Sequence, residues 1–265
     1  MDCRDGKILN PHTCVFVKEC KPGFRRNEKF QCRKGAAKSN ATVSKANVSK
    51  AKNDSKPLRK FKSKAISAAN AKSNVNAPTN MTTDYDEDTV FVFYSKSADV
   101  APGKGKNETI PAEKREMYAD LEKIPDWRKR LSNFWIQPFY KDGYEWASVE
   151  HSYQASKFKK NNREFYKLFS LDSKSELSKD ASLAKATGGK DLKHKYRPSE
   201  IAIDSDFFPD RAKEEMFLAQ HAKFTQSVNL SHLLKSTKKA KLMHYTRGGK
   251  LELFDSLMYI RDHLK

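Results

Sequence analysis

The chain has no run of about 18 consecutive apolar residues, the length a bilayer-crossing helix needs, and its first residues lack the apolar stretch of a secretory leader. Both absences lead us to expect a soluble intracellular protein with no membrane partner. Cysteine occurs at four positions, all within the first 32 residues, and no pair has the close spacing of a zinc clasp. Two readings stand for these thiols, a pair of small disulfide loops or a four-thiolate metal site. The missing spacing weakens the second, so no metal is expected; disulfides are in turn unusual in a cytosolic chain without a dedicated oxidant or a protecting particle. Acidic residues are scarce early. Residues 1–80 hold 19 Lys+Arg against 5 Asp+Glu, a net +14 of the chain's formal +19. Large apolar side chains are nearly missing from Gly35 to Asn80, a stretch of Ala, Ser, Asn and Lys that cannot offset its ordering entropy by burial. Residues 35–88 are therefore expected to be a disordered basic linker ending in the acidic cluster Asp84–Asp88. Its portion 35–64 suits a sequence-blind arm for nucleic acid, because lysines on a flexible chain gain affinity by counterion release. Lys56 to Lys64 would also serve as a nuclear-localisation patch.

What the chain does have is concentrated in Leu131–Phe158. Asp142-Gly143 is a tight-turn dipeptide between two aromatic-rich runs, which predicts a short hairpin or two irregular strands over Phe134–Tyr140 and Tyr144–Ala147. A helix should follow, with Ser148 as its N-cap. Glu150, Gln154 and Lys157 then fall at i, i+4 and i+7 on one stripe, with His151, Ala155 and Phe158 on the next. A carboxylate, a carboxamide and an ammonium aligned this way can point into one concave site. Glu150 lies in the first turn, where the helix dipole favours its charged form. Beside Phe134, Trp135 and Trp146, these groups suit a pocket for a flat, polar ligand. Without further context each residue also has a plainer reading: a capping Glu-His pair, core aromatics, a turn asparagine and a solvated lysine.

The same residues carry a resemblance. Ser132-Asn133-Phe134, Gly143 with Trp146, Ser148, Glu150-His151, and Tyr153-Gln154-Ala155 with Lys157-Phe158 resemble the core of the NADAR domain family, named for NAD and ADP-ribose. Ordered blocks extend it from about Val90 to Lys265. They include Phe93–Lys96, Pro102–Gly105 with Glu108, Trp127–Lys129, Ala184–Ala186 with Gly188–Lys190, Arg197-Pro198, Ala222–Phe224 and Leu257–Arg261. The resemblance implies cleavage of an N-glycosidic bond to a ribose carbon. The substrate would be ADP-ribosylated guanine in DNA or RNA, or a ribosylated nucleotide intermediate, with no cofactor. Breaking that bond builds positive charge on the ribose, so a carboxylate facing the anomeric carbon and able to accept a proton from water is the minimum requirement. Glu150 is the candidate. Lys157 or His151 would protonate the leaving base; alternatively Lys157, its pKa lowered by burial, would attack an opened ribose as a Schiff-base amine. Asn133, Phe134, Trp146, His151, Gln154, Lys190 and Arg197 are the candidate substrate contacts, Arg197 for phosphate or ribose. Lys104 and Glu108 sit in a Gly/Lys-rich loop whose backbone N–H groups could hold a pyrophosphate.

The chain departs from the family pattern in lacking its late D-x-x-W-G and R-x-D-W elements; His244 or Asp255 would have to supply the late polar role. That departure motivates a second reading, a non-catalytic adaptor or virion protein that reads ADP-ribose or nucleic acid. The cysteines add a separate likeness. Cys3, Gly6, Asn10 and Cys14 recur as Cys20, Gly23, Asn27 and Cys32, a unit similar to the two-cysteine adaptor of large DNA viruses. It implies a protein-docking module at 1–34 and a viral source, with the protein in host cytoplasm, nucleus or virion.

The expected architecture is thus a small cysteine module at 1–34, the linker at 35–88, and one α+β domain at 89–265, mostly helical with a few short strands. Predicted strands are Thr89–Tyr94 and Lys241–Tyr245. Predicted helices are Pro111–Glu122, Ser148–Lys160, Ser175–Thr187, Pro209–Gln226, Leu230–Ser236 and Leu253–Leu264.

Overall fold

The computed structural model describes residues 76–190, 196–246 and 248–265, together with the backbone of four short strands nearer the N-terminus. The chain divides into two units, Met1–Phe61 and Lys62–Lys265. In the first, β1 (Lys7–Asn10) pairs antiparallel with β2 (Val15–Lys18), and β3 (Phe24–Arg26) with β4 (Cys32–Lys34). Each hairpin falls on one copy of the cysteine repeat. β1 and β3 begin on the residue after Gly6 and Gly23, and β2 and β4 begin just after Cys14 and on Cys32. The state of the cysteines, the basic arm at 35–64 and the linker's expected disorder as far as residue 75 lie outside the described residues; the linker's last part departs from that expectation, because Ala77, Met81 and Tyr85 pack against buried core residues and a strand begins at Asp86, ahead of the expected boundary at 89.

The second unit is α+β, helix-rich with short strands. In chain order it holds β5 (Asp86–Phe93), α1 (Ala119–Glu122), α2 (Trp127–Leu131), β6 (Phe139–Lys141), β7 (Tyr144–Trp146), α3 (Val149–Ser156), α4 (Arg163–Lys167), α5 (Ala181–Thr187), α6 (Ala212–Gln226), α7 (Val228–Ser236), β8 (Ala240–Tyr245), β9 (Leu251–Leu253) and α8 (Asp255–His263). Phe91, Val92 and Phe93 are all buried, the mark of a strand covered on both faces. β8 lies parallel to β5, with Phe91 opposite Leu242 and Phe93 opposite His244, and β9 closes the sheet antiparallel to β8. A parallel pair requires a crossover, and here everything from α1 to α7 forms it.

α6 separates two cores. Its Phe217 and Phe224 join Phe91, Trp127, Leu242 and Met258 around the sheet, while its Ala219 and Ala222 join Phe139, Trp146, Phe158 and Phe169 around α3. Buried polar side chains on the same helix fasten the segments that lead to α3. Lys223 Nζ donates to the carbonyls of Arg130 and Ser132, 2.8 Å each, and Lys141 Nζ lies 2.6 Å from Glu215 Oε2. Burial without a carboxylate partner pushes Lys223 down to about 7.

Several elements differ from their sequence reading, each for a local reason. The run Pro111–Glu122 is a 3-10 segment, Ala112–Tyr118, ending in a single α turn. The helix expected over Ser148–Lys160 ends at Ser156, and the carbonyl of Lys157 accepts from Asp204 N at 2.7 Å instead of continuing the ladder. Ser175 and Asp180 each cap their own short helix, so Ser175–Thr187 breaks in two. Phe207–Arg211 is a π turn around Pro209, which has no N–H to donate, and α6 starts only after it. Leu253 belongs to β9, an edge strand the sequence reading missed, so the last helix begins at Asp255.

Candidate active site

The site is assembled from the hairpin inward. Asp142 and Gly143 both have positive φ, 56° and 81°, which a two-residue turn matching strand twist requires. Trp146 Nε1 donates to the Lys141 carbonyl at 2.9 Å and closes the hairpin. Two residues later Ser148 caps α3, its Oγ accepting from His151 N. Asn133 O accepts from Glu150 N at 2.9 Å, and the Asn133 side chain is held by α6 through Gln220 Nε2 and Met216 Sδ. The first turn of α3 is thus fixed from both neighbouring segments.

Along α3 the stripe becomes a chain of hydrogen bonds. Gln154 Nε2 donates to Glu150 Oε1 at 2.9 Å, Lys157 Nζ donates to Gln154 Oε1 at 2.6 Å, and Lys157 Nζ also donates to the Gly188 carbonyl at 2.7 Å. All three side chains are buried. Desolvation raises the Glu150 carboxyl above its ordinary value, opposed by Gln154 and by the charges of Lys185 and Lys157. The helix dipole was expected to favour the charged form of Glu150, and burial acts in the opposite direction. Burial likewise pushes Lys157 down to about 8, with Glu150 acting against the shift.

Aromatic rings and further cations surround this chain. Lys157 Nζ lies 5.4 Å from the Tyr153 ring, 6.0 Å from Phe207 and 5.6 Å from Phe208. Lys190 Nζ stands 4.8 Å over Phe208, and Lys185 Nζ 5.2 Å over Phe134. Phe208, Lys185 and Lys190 are exposed, whereas Glu150, Gln154 and Lys157 lie beneath. Tyr153, Lys185 and Gly188 stand in the resembling blocks of the sequence without a site role, and Phe207 and Phe208 were not singled out. The available signal was the Phe-Phe-Pro run, an aromatic pair at the start of a polar helix with no partner in the local pattern.

Gly188 is required by close approach. Its backbone is unstrained, at φ −81° and ψ 3°, but a Cβ there would lie 2.2 Å from Gln154 Oε1 and 2.9 Å from Gln154 Cβ. Gly188→Ala is expected to displace Gln154, cost about 1–3 kcal/mol of stability as overpacking, and lower turnover about tenfold or more. Thermal melts and kcat measured together check this; an unchanged kcat would separate the Gln154 bridge from catalysis.

Other expected contacts are placed elsewhere. Trp146 is fully buried in the α3 core and serves the hairpin, not a ligand. His151 is fully buried, with Nδ1 2.8 Å from Ser148 Oγ, and burial lowers it to about 4, so it is neutral and remote from the role of proton donor. Arg197 is buried over the Phe158 ring and donates to the carbonyls of Gly189 and Lys190. It fastens the loop that presents Lys190, which corrects its reading as a phosphate contact. The loop at Lys104 holds no free anion cradle, since Glu108 accepts from the N–H groups of Val92, Gly103 and Gly105 and is itself clamped by Arg128. Asp255 is exposed, with Oδ1 accepting from Ser256 N. His244 is half-buried against Phe93 and Phe254 and feels the charge of Lys185.

No protein-family model and no curated protein matches the chain. It is similar to the NMR structure of the E. coli protein YbiA, at 22% sequence identity over 68% of this chain and 87% of that one, with a TM-score of 0.42.

Proposed function

We propose that the chain is an N-glycosidase that hydrolyses the bond between a ribose anomeric carbon and a base nitrogen, with ADP-ribosylated guanine in nucleic acid as its substrate. The observation that carries this reading is the buried Glu150–Gln154–Lys157 chain under a rim of lysines and aromatic rings. The NADAR-like blocks of the sequence supply the bond type. Gln154 occupies only Oε1 of Glu150, so Oε2 faces the anomeric carbon and takes a proton from the attacking water. The C1′–N bond breaks, its electron pair goes to the base nitrogen, and the nitrogen takes a proton from Lys157. Two of the three ammonium protons of Lys157 are already donated to Gln154 and Gly188, which leaves one for the leaving base and favours an acid over a Schiff-base nucleophile. Lys185 and Lys190 attract the pyrophosphate, and Phe134 and Phe208 offer faces for flat rings.

Incubation with guanine-ADP-ribosylated DNA tests the reading: free ADP-ribose should appear. Tight binding without release would favour the second reading, an ADP-ribose reader, to which the packing of His244 among aromatic rings in place of a late carboxylate gives support.

The two shifted groups also set the pH profile. Glu150 must be ionised to accept a proton and Lys157 protonated to give one. Activity should therefore rise through a pKa above the ordinary glutamate value of 4.5 and fall near 8. A profile of kcat against pH with no descending limb below about 9 would remove Lys157 as the acid.

A further inference from the structure

The chain just past α3 is tied down by one buried carboxylate. Asp204, its side chain 0% exposed, accepts from Lys160 N at 2.9 Å through Oδ2 and from Asn161 N at 3.1 Å through Oδ1, while its own N–H donates to the Lys157 carbonyl at 2.7 Å. Arg211 closes the arrangement. Its guanidinium donates to Asp204 Oδ2 at 2.7 Å, to the two oxygens of Asp206 at 2.9 and 3.1 Å, and to the carbonyl of Ser156, the last residue of α3, at 3.2 Å.

Asp204 and Arg211 are the two ends of one short segment, with Phe207 and Phe208 between them. The π turn in it has little ladder of its own, because it is five residues long and its Pro209 lacks an N–H. The ion pair that joins the two ends therefore sets its shape. That shape decides what covers Lys157. Phe207 is fully buried and packs edge-on against Tyr153, with the Arg211 guanidinium 5.4 Å from its ring, and Phe208 packs edge-on against Phe207. All three rings stand over Lys157 Nζ. The charged groups acting on Lys157 come from elsewhere: Glu150 on the same helix, Lys185 on α5, and Lys190 and Arg197 beyond it. Asp204, Asp206 and Arg211 are paired among themselves, so their segment reaches Lys157 through rings and backbone.

We infer that Asp204 and Arg211 are positioning residues for Lys157, holding its backbone at the end of α3 and the aromatic cover over its ammonium. The inference rests on the N-glycosidase reading, in which Lys157 gives a proton to the leaving base, and adds what keeps that acid in place. The cover also keeps water from the ammonium, and desolvation is the largest influence lowering Lys157 to about 8.

The test is Arg211→Lys in the full chain. This variant keeps a positive charge beside the buried Asp204, and so the fold, but an ammonium cannot bond two carboxylates and a carbonyl in the fixed directions of a guanidinium. Lys157 is followed by NMR of protein isotope-labelled at lysine Cε, its signal identified by its loss in Lys157→Gln. It should titrate near 8 in wild type and about one pH unit higher in Arg211→Lys, as water reaches the ammonium. On ADP-ribosylated guanosine kcat should fall about tenfold, and the descending limb of its pH profile should move upward with Lys157. Arg128→Lys is the control for a merely structural role: it loosens a different loop, and it should lower Tm with Lys157 unmoved. An unmoved Lys157 in Arg211→Lys, or an equal displacement in Arg128→Lys, overturns the inference. If wild type turns over no substrate, the N-glycosidase reading fails on its own, and the NMR titration alone judges the pair. Should Arg211→Lys not fold, Phe208→Ala takes its place, opening the cover while leaving the pair intact; a raised Lys157 there supports the cover and an unmoved one rejects it.

Discussion

Replacing Glu150 by glutamine is expected to lower kcat on ADP-ribosylated guanine about 10²- to 10⁴-fold while leaving the protein folded. The amide has the size of the carboxyl and can still accept from Gln154, so α3 keeps its packing. What is lost is the proton acceptor and the negative charge facing the ribose cation. Stability should move the other way. Desolvation raises the carboxyl of Glu150 in the folded state, so between its unfolded and folded values the native protein binds more protons than the unfolded chain. Stability tied to this group is thus present at low pH and is lost as pH rises through the raised folded value. Glu150→Gln removes that loss, and its Tm at neutral pH should equal or exceed that of wild type. A variant with full activity would end the assignment of Glu150, and one that is inactive and unfolded would mean that the carboxylate is structural.

The largest effect on stability is expected at Arg128. Its guanidinium donates to both oxygens of Glu108, at 2.7 and 2.6 Å, and to the carbonyls of Val100 and Ala101, and the ion pair is sealed, with side-chain exposures of 2% and 0%. Glu108 in turn gathers the N–H groups of Val92, Gly103 and Gly105. Removing one partner of a buried pair leaves the other charged and unpaired. Arg128→Ala should cost about 3–5 kcal/mol, equivalent to a Tm lower by roughly 6–20 °C for a domain of this size. Arg128→Lys should recover only part, because a point ammonium cannot bridge two carboxylate oxygens and two carbonyls at once. Denaturant melts of the two variants decide it, and a cost under about 1 kcal/mol for Arg128→Ala would show that the loop is held elsewhere.

This pair also shows where sequence reading stopped. Glycines and a lysine around Lys104 have the composition of a phosphate loop, yet the anion they enclose is Glu108 from the same loop. Composition reveals that backbone N–H groups are gathered, but only the tertiary structure reveals what fills them. His151 makes the same point at shorter range. It stands one residue from Glu150, on the neighbouring stripe of α3, and because α3 is buried on nearly every side no polar face distinguished the stripe toward the site from the stripe toward the core. Lys185, Phe207 and Phe208 reach the site from α5 and from the π turn before α6, and nothing local ties them to Glu150.

The sequence by itself determined what depends on near neighbours: the Asp142-Gly143 turn, the Ser148 cap, and the spacing that lets Glu150, Gln154 and Lys157 bond in a line. These follow from backbone sterics and helix period, which act over a few residues. Tertiary structure alone decided the protonation and the surroundings of that line. Burial between α3, α5 and α6 raises Glu150 and lowers Lys157, Gly188 admits Gln154 at close range, and distant loops bring the cations and rings. Desolvation and approach are set by whatever packs on top of a residue, and that is supplied by segments far away in the chain.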